Sequence, residues 1–124
     1  MSAGKANLHQ GAIGAGVDMA TGQTLDAVWR NRVIKEHPDT GHLVSGIQIP
    51  HWEKLLQLAA GCYELTGMGY LGVDLVIDAV KGPLILELNA RPGLSIQMAN
   101  QCGLLPRLLK VKAAHYEFGD IDAR

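Results

Sequence analysis

The sequence has little of what marks several common functional classes. Lysine and arginine together number 11 against 12 acidic residues, so the formal net charge is -1, and no basic stripe points to nucleic acid. No apolar run is long enough to cross a bilayer, and the first residues lack the charged-then-apolar pattern of a signal peptide. We therefore expect neither a nucleic acid nor a membrane as a partner, and we expect a cytoplasmic location.

Cysteine is also scarce, because the chain contains only Cys62 and Cys102. Both fall in predicted helices, and without an export signal we expect them to remain reduced and to pack in the core. What the chain does have is a hydrophobic content of 48% over 124 residues, enough for one packed domain. Its 15 glycines predict many tight turns or close backbone approaches.

The pattern of the chain predicts an α+β fold, with a mostly antiparallel sheet and helices on one face. The clearest part is a pair of alternating strands joined by a short loop, which favours an antiparallel hairpin. The predicted elements are strands at residues 17–20 and 24–29 joined by a hairpin turn at 21–23, a helix that begins just after Pro50 and ends near Gly67, strands at 73–78 and 84–89, a short helix that follows its N-cap Ser95 and ends near Gly103, and a helix within 104–112 after Pro106.

Two carboxylates and an amide are expected on one face of that hairpin. Side chains alternate across a strand, so Glu87 and Asn89 point to the same side, about 7 Å apart. Asp74 lies opposite the apolar set of its own strand and should join them, flanked by Val76 and Ile85. An all-oxygen set of this kind suits Mg²⁺, with Mn²⁺ as an alternative. The other interpretation is a pair of ordinary acidic residues on a solvated hairpin.

The segment after these carboxylates favours the metal interpretation. It reads NARPGLS at residues 89–95, and so brings a cation, a turn and a predicted helix start directly after the candidate ligands. Arg91 offers a guanidinium fork for phosphate or carboxylate oxygens. The predicted helix start at Ser95 offers free backbone N–H groups to an anion. The combination predicts a site for metal and phosphate.

Two other motifs are interpreted as structural. The segment GAIGAG at residues 11–16 is similar to a dinucleotide-binding fingerprint, but it lacks the preceding strand and the following helix. His37, Asp39 and His42 could be metal ligands, but their turn-rich surroundings favour a loop.

Several segments together resemble the metal-binding end of the ATP-grasp fold. They are GVDL at residues 72–75, LELNARPGL at 86–94 and NLHQGA at 7–12, the last of which resembles a stretch of RimK-type alpha-L-glutamate ligases. A second resemblance, through HPDTG at 37–41 and IPHW at 49–52, is to the ATP-grasp group associated with sugar transfer. The likeness covers roughly residues 4–110.

The resemblance implies a function and a set of site residues. The family uses ATP and Mg²⁺ to activate a carboxylate as an acyl phosphate, from which an amine displaces phosphate to form an amide. It implies Asp74, Glu87 and Asn89 as metal ligands and Asn7 and Arg91 as catalytic residues. The implied nucleotide- and phosphate-binding residues are Asn7, Gln10, Arg91, Gly93 and Ser95.

The resemblance also implies what the chain lacks. In ATP-grasp enzymes a second lobe, upstream in sequence, supplies a glycine-rich loop, phosphate-binding lysines and the adenine pocket. We expect residues 4–112 to be the C-terminal ATP-grasp subdomain, residues 1–3 an expression scar or a false start, and residues 113–124 a tail. The parent protein is then an ATP-dependent carboxylate–amine ligase, and this part alone is expected to be inactive and to self-associate.

Departures from the glutamate ligases leave the substrate open. Gln10 stands where those enzymes have arginine, Ala12 where they have a second glycine, and Arg91 where they have serine. Residues 17–50 also form a longer stretch than in the RimK type. The alternatives are a polysaccharide-linked or sugar-transfer-associated ATP-grasp protein, and a non-catalytic interaction domain that inherited the fold.

Overall fold

The chain forms an α+β fold, as the sequence predicts. A computed structural model describes residues 12–94, 96–100 and 102–119. Its strands lie in two antiparallel sheets, one of three strands in the order β1-β2-β3 and one formed by β4 and β5. In chain order the elements are β1 Gly14–Val17, β2 Thr24–Trp29, β3 Arg32–Ile34, α1 Trp52–Thr66, β4 Gly72–Asp78, β5 Gly82–Asn89, α2 Ile96–Ala99 and α3 Leu104–Gly119.

The turn between β1 and β2 is built by a short acidic side chain. Asp18 Oδ1 accepts hydrogen bonds from the backbone N–H of Ala20, at 3.1 Å, and from the backbone N–H and hydroxyl of Thr21, both at 2.8 Å. Gly22 has a φ of 72°, and the Trp52 ring packs against it where any Cβ would stand. The hairpin turn is confirmed, but the strand predicted at residues 17–20 is wrong, because β1 ends at Val17 and Asp18 already begins the turn. The tryptophan explains why glycine is needed at residue 22.

The long helix α1 starts and stops where its flanking residues predict. His51 precedes it with a φ of 58°, and Gly67 ends it in the left-handed conformation with a φ of 65°. The Gly67 N–H donates to the Tyr63 carbonyl at 2.7 Å, which satisfies one of the last free carbonyls of the helix. Leu55 and Cys62 are its buried residues, so Cys62 is a core residue as predicted.

The β4–β5 hairpin is antiparallel, but it contains a bulge that the alternation pattern does not reveal. Asp74 pairs with Glu87, whereas the next residue, Leu75, pairs with Ile85, so Leu86 is an extra residue on β5. Strict alternation along β5 would put residues 84, 86 and 88 on one face, and the bulge breaks that alternation. Leu84 pairs with Val76 on the Asp74 side, and Ile85 pairs with Leu75 on the opposite side.

The last two helices differ from their predicted bounds. The helix after residue 95 has only four residues and ends at Ala99 rather than near Gly103. Leu104 then begins α3 two residues before Pro106, which is tolerated because the first turn of a helix needs no intrahelical N–H donor. This helix continues to Gly119, past the boundary of 112 expected for the tail.

The core of the described residues is small. Ala27, Leu55, Cys62 and Ala99 are buried, and α2 packs on β1 and β2 while α1 contacts β4 and β5. Many large apolar side chains remain exposed instead, including Leu86 at 66% and Val80 at 93%. No helix in the described part of the chain is long and apolar enough to cross a membrane.

Candidate functional site

The pairing of β4 with β5 places the two candidate carboxylates on one face of the hairpin. Asp74 and Glu87 are direct cross-strand partners, and Gly72 pairs with Asn89 two residues further along. Paired residues of an antiparallel ladder point to the same side, with Cβ atoms about 5 Å apart. Asp74, Glu87 and Asn89 therefore share one face, the arrangement that strand alternation predicts for a shared cation.

The neighbours of these ligands differ from those predicted. Because of the bulge at Leu86, the apolar pair beside the carboxylates is Val76 with Leu84, not Val76 with Ile85. Asp74 and Glu87 are both exposed to solvent. Water and salt screen the repulsion between exposed carboxylates, so their proximity alone does not require a cation.

The third candidate ligand is oriented by the backbone that follows it. Asn89 Oδ1 accepts a hydrogen bond from the Arg91 N–H at 2.9 Å, which closes a local turn at the end of β5. A carbonyl oxygen has two lone pairs, so this oxygen still has one for a metal ion. The same turn directs the chain from β5 towards Pro92 and Gly93.

A close contact fixes that turn against the start of β4. A Cβ added at Gly72 would lie 2.7 Å from Pro92 Cβ, closer than two non-bonded carbon atoms approach each other in proteins. Glycine at this position therefore lets the NARPG segment lie directly over the strand that carries Asp74. Gly72 and Pro92 both belong to the segments that resemble the ATP-grasp fold, and their contact gives a physical reason why the two residues occur together.

A cavity of about 760 Å³ lies beside these residues. Its lining includes Asp74, Asn89 and Gly93 from the predicted site, and also residues of β1, α2 and α3. The volume is that of a small-molecule site. Cys102, predicted to be a core residue, is half-buried and lines this cavity instead.

The remaining predicted site residues do not line the cavity or lie outside the described residues. Arg91 is exposed and stands in the turn after Asn89, outside the lining of the cavity. The helix expected to offer its N-terminus to phosphate has only one turn, so its dipole is weaker than the prediction assumed. Asn7, Gln10 and Ser95 lie outside the described residues.

Sequence reasoning missed the contribution of the last two helices to this cavity. Gln97, Asn100 and Arg107 bring two amides and a cation to its lining. Leu104 and Arg107 are three residues apart on α3 and so share a helix face. That spacing could have suggested a common surface, but only the three-dimensional structure shows that both residues line the cavity.

The segment with His37, Asp39 and His42 forms a turn, in line with the preferred interpretation. The His37 N–H donates to the His42 carbonyl at 2.7 Å, and His37 Nδ1 accepts from the Asp39 N–H at 3.2 Å. Within the described part of the chain, no group of three or more histidine, cysteine, aspartate or glutamate side chains could hold a metal. The proposed metal set has two carboxylates and an amide.

Comparison with protein families decides the superfamily. The family described as sugar-transfer associated ATP-grasp matches residues 1–113. The chain belongs to this family. Comparisons with the curated proteins and with the solved structures find no match. ATP-grasp domains are generally ATP-dependent ligases that use Mg²⁺, and an α+β chain with antiparallel sheets is consistent with part of that fold.

Proposed function

We propose that this ATP-grasp chain supplies the metal- and phosphate-binding part of an ATP- and Mg²⁺-dependent carboxylate–amine ligase. The observation that carries the proposal is the β4–β5 register, which pairs Asp74 with Glu87 and keeps Asn89 on the same face. Family membership adds ATP as the expected co-substrate. We further propose a cytoplasmic location for the parent protein.

The chemistry assigns a role to each side chain. Asp74, Glu87 and Asn89 would hold Mg²⁺, which when bound neutralises charge on the ATP phosphates. Arg91 lies directly after these ligands, where its fork can pair with phosphoryl oxygens. Asn7, Gln10, Gly93 and Ser95 are assigned to the nucleotide and acyl phosphate by resemblance. Holding charged groups in fixed positions is the main contribution of a protein to phosphoryl transfer.

The proposed reaction has two balanced steps. A carboxylate oxygen of the substrate attacks the γ-phosphorus of ATP, and the bond to the ADP oxygen breaks, giving ADP and an acyl phosphate. An amine then attacks the acyl carbon, loses a proton, and releases inorganic phosphate as the amide forms. Neither step needs a protein nucleophile.

The substrates within this class divide into two candidates. The NLHQGA stretch and the LELNARPGL stretch favour a RimK-related glutamate ligase-like reaction on a small-molecule or peptide carboxylate and amine. The family match favours an ATP-grasp protein linked to sugar transfer, with a carbohydrate-bearing acceptor. A labelled carbohydrate amine that became amidated by the full-length parent, with glutamate inert, would favour the second candidate. A non-catalytic domain would bind no metal at Asp74 and Glu87.

A metal titration tests the proposal on the chain itself. Electron paramagnetic resonance of free Mn²⁺ should show binding that Asp74→Asn or Glu87→Gln weakens by about tenfold, since each removes a charged ligand. Glu64→Gln is the matched control, because Glu64 is exposed on α1 and does not line the cavity. Equal Mn²⁺ affinity in all four proteins would overturn the metal site.

A further inference from the structure

Helix α3 carries a wide apolar surface that stays exposed. Leu105, Leu108, Leu109 and Val111 are 67%, 45%, 57% and 67% exposed, respectively. At about 100° per residue, the four side chains fall within about 160° of the helix circumference, so they form one continuous stripe. Helix α1 packs on β4 and β5, but α3 has no comparable packing against a helix or strand in the described part of the chain.

The charged residues of α3 near this stripe all have the same sign. Arg107, Lys110 and Lys112 are the charged residues between positions 104 and 114, where the sequence has no aspartate or glutamate. Lys110 lies on the side of the helix opposite the stripe, and Arg107 lies near one edge of it. Helix α1 differs, because it carries acidic as well as basic residues, among them Glu53 and Lys54. A basic amphipathic helix such as α3 is typical of surfaces that meet an anionic partner.

The first turn of α3 is held without the use of this stripe. Gln97 Oε1 accepts a hydrogen bond from the Leu104 N–H at 2.7 Å, which satisfies a free donor at the start of the helix. The Cys102 N–H also donates to the Gln97 carbonyl at 3.3 Å. These two bonds tie α3 to α2 through backbone and amide groups, so the leucines of the stripe remain available to a partner.

A second copy of α3 fits this surface poorly. Two packed helices lie about 8–10 Å apart, close to the distance over which charges act at physiological salt. Two α3 helices packed through their stripes would bring the cations of both copies together, with no acidic residue between positions 104 and 114 to offset them. Because like charges at that distance repel, α3 disfavours pairing with itself.

A helix-binding groove on another protein also fits less well than a lipid surface. Grooves of this kind bury apolar anchors at positions i, i+3, i+4 and i+7 of the bound helix. Counted from Leu104 or from Leu105, one of those positions is a cation, Arg107 or Lys112. Burial of a charge without an ionic partner is costly. An anionic bilayer offers phosphate groups beside its apolar layer, so it suits both the leucines and the cations of α3.

We propose that α3 is a membrane-surface helix that lies in the plane of an anionic phospholipid bilayer. Its leucines enter the boundary between headgroups and acyl chains, and Arg107 and Lys110 meet lipid phosphate groups. The expectation against a membrane partner rests on the lack of a spanning run, and a helix in the surface plane needs no such run. The inference does not depend on the metal site. It fits the proposed cytoplasmic location, because the cytoplasmic leaflet is anionic.

Vesicle sedimentation tests the proposal with the chain of 124 residues. Vesicles of phosphatidylcholine with about one third phosphatidylserine should bind the chain at least tenfold more tightly than vesicles of phosphatidylcholine alone, since each cation near an anionic surface strengthens binding by roughly fivefold. Binding should weaken as salt is raised, because salt screens the charges. Soluble glycerophosphoserine has the same headgroup without acyl chains, and it should not displace the chain from vesicles at an equal headgroup concentration.

Variants of α3 locate the effect. The double variant Leu105→Gln/Leu109→Gln should bind the mixed vesicles at least about tenfold more weakly, because glutamine preserves the helix but not the apolar surface. Lys110→Gln should weaken binding by about fivefold and reduce its salt dependence. Leu65→Gln and Lys54→Gln are the matched controls, since both residues are exposed on α1. Circular dichroism checks that every variant retains its helices.

Several results would overturn the inference. They are equal binding to both kinds of vesicle, binding to neither, displacement by glycerophosphoserine, or wild-type binding by the double variant. Equally tight binding to soluble polyglutamate would indicate an acidic protein as the partner instead. If the double variant lowers the mass of the free chain in light scattering, α3 pairs with a second copy and the inference is wrong. The Mn²⁺ titration remains a separate readout, because none of these variants changes a candidate metal ligand.

Discussion

Gly72 and Pro92 lie in direct contact, with no room between them for a side chain on residue 72. The contact joins the first residue of β4 to the turn that follows β5, so it closes the end of the hairpin where Asn89 pairs with Gly72. Asp74 follows Gly72 by two residues and Asn89 precedes Pro92 by three, so the contact determines how the NARPG turn is positioned over the candidate ligands.

Replacing Gly72 by alanine should therefore disturb both stability and the site. The new Cβ would stand 2.7 Å from Pro92 Cβ, so the turn must move. Overpacking of this kind typically costs about 1–3 kcal/mol of unfolding free energy. Urea denaturation measures that loss, and Mn²⁺ binding should weaken in parallel. Gly69→Ala is the control, because its Cβ would meet no atom within 4 Å. Equal destabilisation by both variants would contradict the role of the contact.

The turn between β4 and β5 should make stability depend on pH. Hydrogen bonds from the backbone N–H of Lys81 and Val80 lower the pKa of Asp78 below its ordinary value of 3.8. A lowered folded-state pKa adds stability above the unfolded pKa, and that stability is lost as pH falls through the folded value. The stability that Asp78 contributes should therefore be lost below about pH 4.

Urea denaturation between pH 5 and pH 2 checks the contribution of Asp78. The difference in stability between wild type and Asp78→Ala should shrink as the pH falls. Asp78→Asn keeps an acceptor oxygen but does not titrate, so its stability relative to Asp78→Ala should stay nearly constant. If wild type and Asp78→Asn show the same pH dependence throughout, Asp78 does not contribute in this way.

The chain of 124 residues should show no appreciable ligase activity by itself. By resemblance to ATP-grasp enzymes, the adenine pocket and the phosphate-binding lysines come from another lobe, so the isolated chain should show negligible turnover and at best weak Mg²⁺-dependent nucleotide binding. A coupled assay for ADP release checks this with amino-acid substrates. Robust ADP release would show that the chain is a complete enzyme.

In an enzyme that combines this chain with the other ATP-grasp lobe, Glu87→Gln should reduce turnover by at least about a hundredfold while leaving the fold intact, because a metal ligand is lost. Circular dichroism and the same ADP assay measure the two effects. Glu64→Gln should retain wild-type turnover. Full activity in Glu87→Gln would show that Glu87 is not a metal ligand of the ligase.

The isolated chain should self-associate. Leu86 is 66% exposed on β5, and β4 and β5 each pair only with the other in the described part of the chain, which leaves sheet edges available for pairing. A symmetric dimer formed through these edges, or through exchange of the amino-terminal strand, would cover them. Light scattering over a hundredfold range of concentration should show a rising mass. A constant monomer mass would rule the association out.

Local signals predicted α1 and the β4–β5 hairpin well, but they missed β3 and placed the first strand at residues 17–20 instead of Gly14–Val17. Gly67 supplies the left-handed residue that ends α1, and Gly82, with a φ of 75°, lets the chain reverse between β4 and β5. Alternation along β5 predicted that Glu87 and Asn89 share a face, because that depends only on the geometry of one strand. Family resemblance added the superfamily, which the family match confirms.

Tertiary structure decided everything that depends on how elements meet. The bulge at Leu86 moves Leu84 and Ile85 to unexpected faces, because register is a property of two strands together and not of either alone. The approach of Arg107 to the cavity depends on where Gln97 anchors α3. A helix pattern gives the face on which a residue lies, but it carries no information about which distant strand that face will meet.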